Sequence, residues 1–337
     1  MILITYGTRP EWLKVKPLIA EMREENLPIK VLFTGQHKDI APSDADYNFT
    51  MDYVINNNRL DTVIGNILKQ GDIFDDPDIT HVLVQGDTTS VLAIALSAFN
   101  HGKKIIHLEA GLRTYDKTSP FPEEMNRQLV SRIADIHLCP TELSKTNLLN
   151  EGVSGDIFVV GNTALDNLRE FIYETPIYDD IILVTLHRRE NHNKMDGWFD
   201  AINKIALKHP DLRFVFPVHP NPNVQKHRGI LTAKNISDID PINHYDLIKY
   251  INSAKLVITD SGGIQEECSF LMKKCLTCRN NTERPEAIGQ STVMVENPLK
   301  LIEVFEENIS NYFVDDSCPF GDGYSSKKII NILKEIT

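Results

Sequence analysis

Long apolar runs are missing from this 337-residue sequence. Every hydrophobic stretch is the length of a β-strand, so nothing reads as a membrane-spanning helix. A positive excess is missing as well. The 35 Lys and Arg against 47 Asp and Glu leave a net charge of −12, which argues against nucleic acid or an anionic membrane as a bulk partner. A few placed arginines can still hold a small anionic ligand. The opening Met1-Ile-Leu-Ile-Thr5 lacks the basic stretch of a signal peptide and reads as a first strand, so the cytoplasm is the expected compartment. Five cysteines, an odd number, give no disulfide framework. Cys275 and Cys278 form a CxxC, but inside a strand-like stretch where residues three apart face opposite sides, so no metal or redox site is expected there. The familiar nucleotide signatures are absent too. No G-x-G-x-x-G opens a helix after a strand and no G-x-x-x-x-G-K-[ST] occurs, which disfavours a nicotinamide enzyme and a P-loop NTPase.

What is present is alternation. Short apolar strands are predicted at 2–6, 29–34, 80–84, 104–108, 136–139 and 157–160, with helices at about 10–24, 60–76, 88–101, 122–134, 141–151 and 163–172. The acidic stretch Glu170–Asp180, carrying Pro176, marks a boundary. Beyond it, strands are predicted at 181–185, 213–218, 255–259, 274–278 and 292–295, with helices at about 196–208, 244–253, 262–272, 298–311 and 325–335. Repeated βαβ units imply parallel sheets covered on both faces, hence an α/β protein of two doubly wound domains, 1–172 and 173–337, with the last helix able to pack back on the first. Ligands of such sheets sit at the carboxyl ends of strands, so the chemistry is expected just after strands, in a cleft between the domains.

Several segments stand at such places. Asp260-Ser-Gly-Gly-Ile-Gln-Glu-Glu267 follows a strand and opens a helix. Ser261 can cap it, Gly262 and Gly263 let an anion approach the backbone, and Glu267 lies about 9 Å further along, a distance that suits a ribose. A plain capped helix explains the same residues equally well. Tyr6-Gly-Thr-Arg-Pro-Glu11 follows the first strand, placing Arg9 where it can fork onto phosphate oxygens; Lys14, one turn on, reads as a solvated side chain. Asp87, Glu109 and Glu123 each follow a strand end or begin a helix in the first domain. Singly, Asp87 or Glu123 serves as a helix-start anion and Glu109 as a partner of Arg113. Together they put three carboxyl groups on one rim of one sheet, the arrangement of an acid–base site. In the second domain His187, Arg188 and His219 follow strands; without H-x-x-x-H spacing or a thiolate partner, they fit phosphate or sugar better than zinc.

These segments, in this order, resemble the non-hydrolysing UDP-N-acetylglucosamine 2-epimerases over nearly the whole chain. The blocks are GTRPE at 7–11, TGQH at 34–37, GDTTS at 86–90, HLEAGLRT at 107–114, FPEEMNR at 121–127, GNT at 161–163, HRRE at 187–190, VHPNPNV at 218–224, DSGGIQEE at 260–267 and TERPEA at 282–287. The resemblance implies two Rossmann-like domains of the glycosyltransferase-B type, with no NAD and no metal used for the epimerisation. It implies a catalytic set of Asp87, Glu109, Glu123 and His187. Arg9, Ser261, Gly262 and Gly263 would hold the diphosphate and Glu267 the ribose, while the backbone near Leu247 meets uracil. Lys14, Arg113, Arg188 and His219 complete the expected UDP-sugar contacts. The activity implied is reversible C2 epimerisation of UDP-N-acetylglucosamine by elimination of UDP to a 2-acetamidoglucal and re-addition, in a homodimer.

The same family chemistry admits a hydrolysing relative that releases free N-acetylmannosamine, and the fold admits a glycosyltransferase; GDTTS and HLEAGLRT favour the non-hydrolysing branch. One departure is visible. Bacterial members bind a second UDP-N-acetylglucosamine as activator near the positions of Gln36 and His37, backed by an apolar helix. Here Ala41-Pro-Ser-Asp-Ala-Asp46 is short, acidic and broken by Pro42, so weak or absent activation is expected.

Overall fold

The computed structural model describes every residue except 38–44, 54–57, 174, 316 and 337. The chain forms two compact units, Met1–Asn167 joined by Gly321–Thr337, and Leu168–Phe320. In the first unit the elements are β1 (Ile2–Tyr6), α1 (Arg9–Glu24), β2 (Ile29–Phe33), β3 (Tyr47–Asn48), α2 (Arg59–Lys69), β4 (His81–Gln85), α3 (Thr89–Asn100), β5 (Lys104–Leu108), α4 (Glu123–Ile133), β6 (Ile136–Cys139), α5 (Glu142–Asn150) and β7 (Asp156–Val159). Its strands lie in the order β3-β2-β1-β4-β5-β6-β7, every neighbouring pair parallel. The second unit holds β8 (Ile181–Thr185), α6 (Met195–Lys208), β9 (Arg213–Pro217), α7 (Pro222–Gln225), β10 (Ile236–Ile239), α8 (His244–Ser253), β11 (Leu256–Thr259), α9 (Gly262–Phe270), β12 (Cys275–Thr277), β13 (Thr292–Met294) and α10 (Pro298–Ile309). Here the order is β10-β9-β8-β11-β12-β13, again all parallel.

Both sheets are Rossmann-like: the winding runs outward from the first strand, then returns to continue on its other side. That reversal leaves a gap between helices at the carboxyl ends of β1 and β4 in one unit and of β8 and β11 in the other. The central strands are buried on both faces, which is why Ile-Leu-Ile-Thr-Tyr and Ile-Ile-Leu-Val-Thr read as continuous apolar runs. In the second core Trp198 is fully buried yet satisfied, because its indole N–H donates to Asn191 Oδ1 at 3.2 Å.

The last helix, α11 (Ser325–Ile336), belongs to the first unit. Ile329, Ile330 and Leu333 enter the core with Val15, Leu18, Ile19 and Met22 of α1. Its start is anchored by Asp166, whose carboxylate accepts from the backbone N–H groups of Ser325 (3.0 Å) and Ser326 (2.7 Å).

Four local expectations change. The predicted helix 60–76 stops at Lys69 and resumes as a 3₁₀ turn, Gly71–Asp75. Gly71 has poor helix propensity and sits so close to α3 that an added Cβ would lie 2.8 Å from Ser97 Oγ. The predicted helix 163–172 is 3₁₀, tightened where Asn162 Oδ1 takes the Ala164 N–H at 2.9 Å. Two strands, β3 and β10, were not expected; both are sheet edges, polar and only partly buried, so they carry no apolar run.

Candidate functional site

In the first unit, β1 ends at Tyr6 and the chain turns through Gly7, where a Cβ would meet Thr34 Oγ1 at 2.0 Å. Thr8 caps α1, and Glu11 closes a reciprocal capping box: its Oε2 accepts from the N–H groups of Gly7 (2.6 Å) and Thr8 (3.0 Å). Glu11 Oε1 accepts from the Thr88 hydroxyl at 2.7 Å, tying the loop after β1 to the loop after β4. Burial pushes the Glu11 carboxyl up to about 7 despite hydrogen bonds from Thr88, Gly7 and Thr8 that pull it down; the Asp87 charge adds to the rise. Arg9 is exposed at the first position of α1.

Asp87 stands just after β4, and its charge meets an arginine. Arg127 Nε and Nη2 donate to Asp87 Oδ2 at 2.9 and 2.7 Å, and Asn126 Nδ2 donates to the Asp87 carbonyl at 2.8 Å. Glu123, the first residue of α4, lies one turn before Arg127. Its neighbour Glu124 is fully buried and accepts from the Thr114 and Tyr115 N–H groups and from Arg127. Glu109, just past β5, adopts φ +67, a left-handed conformation that costs a non-glycine residue on the order of 1 kcal/mol. Lys14 and Gln85 hold it there. Lys14 Nζ is 2.5 and 2.6 Å from its two oxygens, and Gln85 Nε2 donates to Oε2 at 2.5 Å. Buried His107, pushed down to about 3 by burial, stays neutral and donates Nε2–H to the carbonyl of Gly86, next to Asp87 (2.8 Å).

Two sequence readings are therefore corrected. Lys14 is not a solvated side chain, because it is the counter-ion of Glu109. Arg113 neither pairs with Glu109 nor reaches out as an expected UDP-sugar contact. Its guanidinium is buried against Glu151 (2.6 and 2.9 Å) and Ser131 Oγ (2.9 Å), which leaves it under the rim. Gln36 and His37 adjoin the same loops: the Gln36 carbonyl accepts from Tyr53 Oη and the His37 N–H donates to the Gly7 carbonyl. Residues 41–44 of the loop on which the activation expectation rests lie outside the described residues.

In the second unit, fully buried Asp260 organises the loop after β8. It accepts from the N–H groups of His187 (3.0 Å) and Arg188 (2.9 Å) and from Asn191 Nδ2 (3.0 Å). The His187 ring stacks on the exposed His219 ring, centroids 5.2 Å apart. Burial lowers the His187 pKa, outweighing the opposing pull of Asp260, and burial also lowers that of His219. Both imidazoles are thus available in the neutral form. Arg188 lies beside them with a buried Nε that has no hydrogen-bond partner among the described residues.

Ser261 caps α9, accepting from the Ile264 N–H at 3.5 Å. Gly262 and Gly263 follow, and a Cβ on Gly262 would lie 2.6 Å from Arg284 Nη1. Beneath this turn runs a chain of alternating charges: Glu190 to Arg279 (2.8 Å), Arg279 to Glu283 (3.0 Å), Glu283 to Arg284, and Arg284 to Glu266 (2.6 Å). Buried Glu267 sits two turns along α9, and Leu247 lies half-buried in α8. Among the described residues no cluster of three or more His, Cys, Asp or Glu could hold a metal ion, and no helix is long and apolar enough to cross a membrane.

Glu11 and Arg127 had no role assigned from sequence. The first was detectable, since Thr8-Arg-Pro-Glu11 is a capping-box pattern. The pairing of Arg127 with Asp87 had no local signal.

The family described as UDP-N-acetylglucosamine 2-epimerase matches over residues 20–334. A UDP-N-acetylglucosamine 2-epimerase of Bacillus subtilis is 37% identical, over 98% of this chain and 94% of that protein. Among solved structures, the UDP-GlcNAc 2-epimerase of Neisseria meningitidis bound to UDP-GlcNAc has a TM-score of 0.88 at 34% identity, covering 99% of each chain. The UDP-GlcNAc 2-epimerase of Methanocaldococcus jannaschii, in complex with UDP-GlcNAc and UDP, has a TM-score of 0.80 at 32% identity and the same coverage.

Proposed function

The chain belongs to the UDP-N-acetylglucosamine 2-epimerase family, and from that premise we propose that it interconverts UDP-N-acetylglucosamine and UDP-N-acetylmannosamine without hydrolysing either. The observation that carries this reading is the pair of carboxylates at the ends of adjacent strands β4 and β5. Asp87 and Glu109 are each paired with a cation, Arg127 (shared with Glu124) and Lys14. Such a pair, with Glu123 at the start of the helix that bears Arg127, suits proton removal and return at one carbon.

The C2 proton of the sugar is not acidified by a carbonyl, so direct abstraction would be very slow. In the proposed route the C1–O bond to UDP breaks and its electron pair leaves with the diphosphate. The C2 proton passes to a carboxylate, giving a 2-acetamidoglucal. Positive charge develops at the ring as the bond weakens, and carboxylates steady it. A proton returned to the other face of C2, with UDP re-added at C1, completes the exchange. Arg9 and the Ser261–Gly263 helix start would hold the departing diphosphate, Glu267 the ribose and the backbone near Leu247 the uracil. Neutral His187 and His219, with Arg188, would contact the sugar or phosphates; Asp260 fixes the loop that carries His187 and Arg188.

Incubation with UDP-N-acetylglucosamine in heavy water tests both the branch and the chemistry. The expected products are a mixture of the two epimers with deuterium at C2. Stoichiometric free N-acetylmannosamine and UDP would assign the hydrolysing branch instead, and full retention of the C2 hydrogen would rule out elimination. Asp87→Asn, Glu109→Gln and Glu123→Gln should each lower kcat about 10²-fold or more, the scale of general acid–base assistance.

A further inference from the structure

Helices α8 and α9 of the second unit pack against one another, and a polar contact joins them. His244, the first residue of α8, places Nε2 2.7 Å from Glu267 Oε1. A carboxylate can only accept, so Nε2 carries the proton and donates. The contact is largely shielded from water, with the Glu267 side chain 10% exposed and that of His244 23%. The other oxygen is treated differently. Glu267 Oε2 is buried and has no hydrogen-bond partner among the described residues. The nearby arginine does not supply one, because Arg284 is spent on Glu266 and Glu283.

A buried carboxylate with one oxygen tied down and the other bare is costly unless a donor arrives from outside the chain. Its place limits what that donor is. Glu267 stands six residues beyond Ser261, about 9 Å along the helix from the end where an anion would dock. A hydroxyl-bearing group attached to a phosphate fits that spacing. The histidine is itself well fixed, since α8 is capped by Asn243, whose Oδ1 accepts from the Asp246 N–H at 2.9 Å.

We propose that His244 is a positioning residue for nucleoside recognition: by occupying Oε1 of Glu267 it turns Oε2 into a fixed acceptor for the ribose hydroxyls of the UDP group. This rests on the UDP-sugar reading above and adds to it the residue that makes the site selective for a ribose over a sugar lacking those hydroxyls. Without the donor at position 244, the carboxylate can rotate or draw in water, and its preference for a hydroxyl falls.

Calorimetric titration of the full-length protein with UDP and with 2′,3′-dideoxyuridine 5′-diphosphate tests this. The parent protein should prefer UDP by about 10- to 100-fold, the range for a hydrogen bond to a charged group. His244→Phe, a planar ring without the donor, should lower UDP affinity about 10-fold and leave the dideoxy nucleotide within about 2-fold, so the preference collapses. His244→Gln, which restores an N–H at similar reach, should restore most of it. A second pair guards against a poorly folded Phe variant: His244→Asn is too short to reach Glu267 and should behave unlike His244→Gln. The proposal is overturned if His244→Phe keeps the parent preference, if both affinities fall together as for a purely structural residue, or if Asn and Gln give equal ratios. A parent protein that binds neither nucleotide would instead remove the UDP-sugar reading, and this proposal with it.

Discussion

Replacing Glu11 by glutamine should abolish a loss of stability that the first unit suffers as pH rises from about 4.5 to 7. The side chain is 3% exposed in the first turn of α1. Burial raises its pKa from 4.5 to about 7, the more so with Asp87 nearby, against the hydrogen bonds from Thr88, Gly7 and Thr8. In the unfolded chain the group ionises near 4.5, whereas in the folded chain it keeps its proton to about 7. Folding therefore takes up a proton between those values, and stability falls with rising pH in that window by about 1.4 kcal/mol per unit. Across about 2.5 units the loss is on the order of 3 kcal/mol, complete above about pH 7 and absent below 4.5. Both backbone donors go to Oε2, so in the protonated form the proton sits on Oε1, and the Thr88 hydroxyl, which donates to the carboxylate, turns to accept it and donates to Ser90 Oγ instead. Glutamine reproduces that neutral form: its carbonyl takes the two N–H groups and its amide donates to Thr88. Relative to the parent, Glu11→Gln should gain about 3 kcal/mol between pH 4.5 and pH 8 and change little at the acid end. The chain has two tryptophans, Trp12 beside Glu11 and Trp198 in the other unit. Urea unfolding followed by fluorescence in a Trp198→Phe background thus reports the first unit alone. A difference between parent and variant that stays constant within about 0.5 kcal/mol from pH 5 to 8 would refute the reasoning.

The remaining predictions concern the second unit's organising aspartate and the returning helix. Asp260→Leu leaves the N–H groups of His187 and Arg188 without their acceptor and the amide of Asn191 with only the Cys278 carbonyl, and should cost about 3 kcal/mol or more. Urea unfolding monitored at Trp198 in a Trp12→Phe background would read this, and a cost below about 1 kcal/mol would show that the loop re-forms its bonds elsewhere. Leu333→Ala should destabilise the first unit by about 2–5 kcal/mol, since Leu333 is 1% exposed in the same core as α1. Trp12 fluorescence checks that loss, and unchanged unfolding would mean that α11 is not part of that core.

Much of the fold was legible because its determinants are local. A strand buried on both faces shows as an unbroken apolar run, a helix start as a Ser or Thr cap, and candidate chemistry as polar residues just after such runs. Those signals lie within a few residues of one another, which is why β1, β5, β6, β8 and α8 fall on their predicted limits. The edge strands β3 and β10 escaped because a sheet edge needs no apolar stretch. At the site, the sequence alone determined which residues stand at the carboxyl ends of strands: Arg9, Asp87, Glu109, His187 and Ser261. Only the tertiary structure decided which charge meets which. Lys14 reaches Glu109 across 95 positions, Arg127 reaches Asp87 across 40, and Arg113 turns away to Glu151 across 38. Their partners are set by strand order and by the packing of α4, neither of which is encoded near the residues themselves. The same holds for Glu11. Its capping role is written in four consecutive residues, but its raised pKa comes from desolvation, and the loop after β4 that helps enclose it lies 77 positions away.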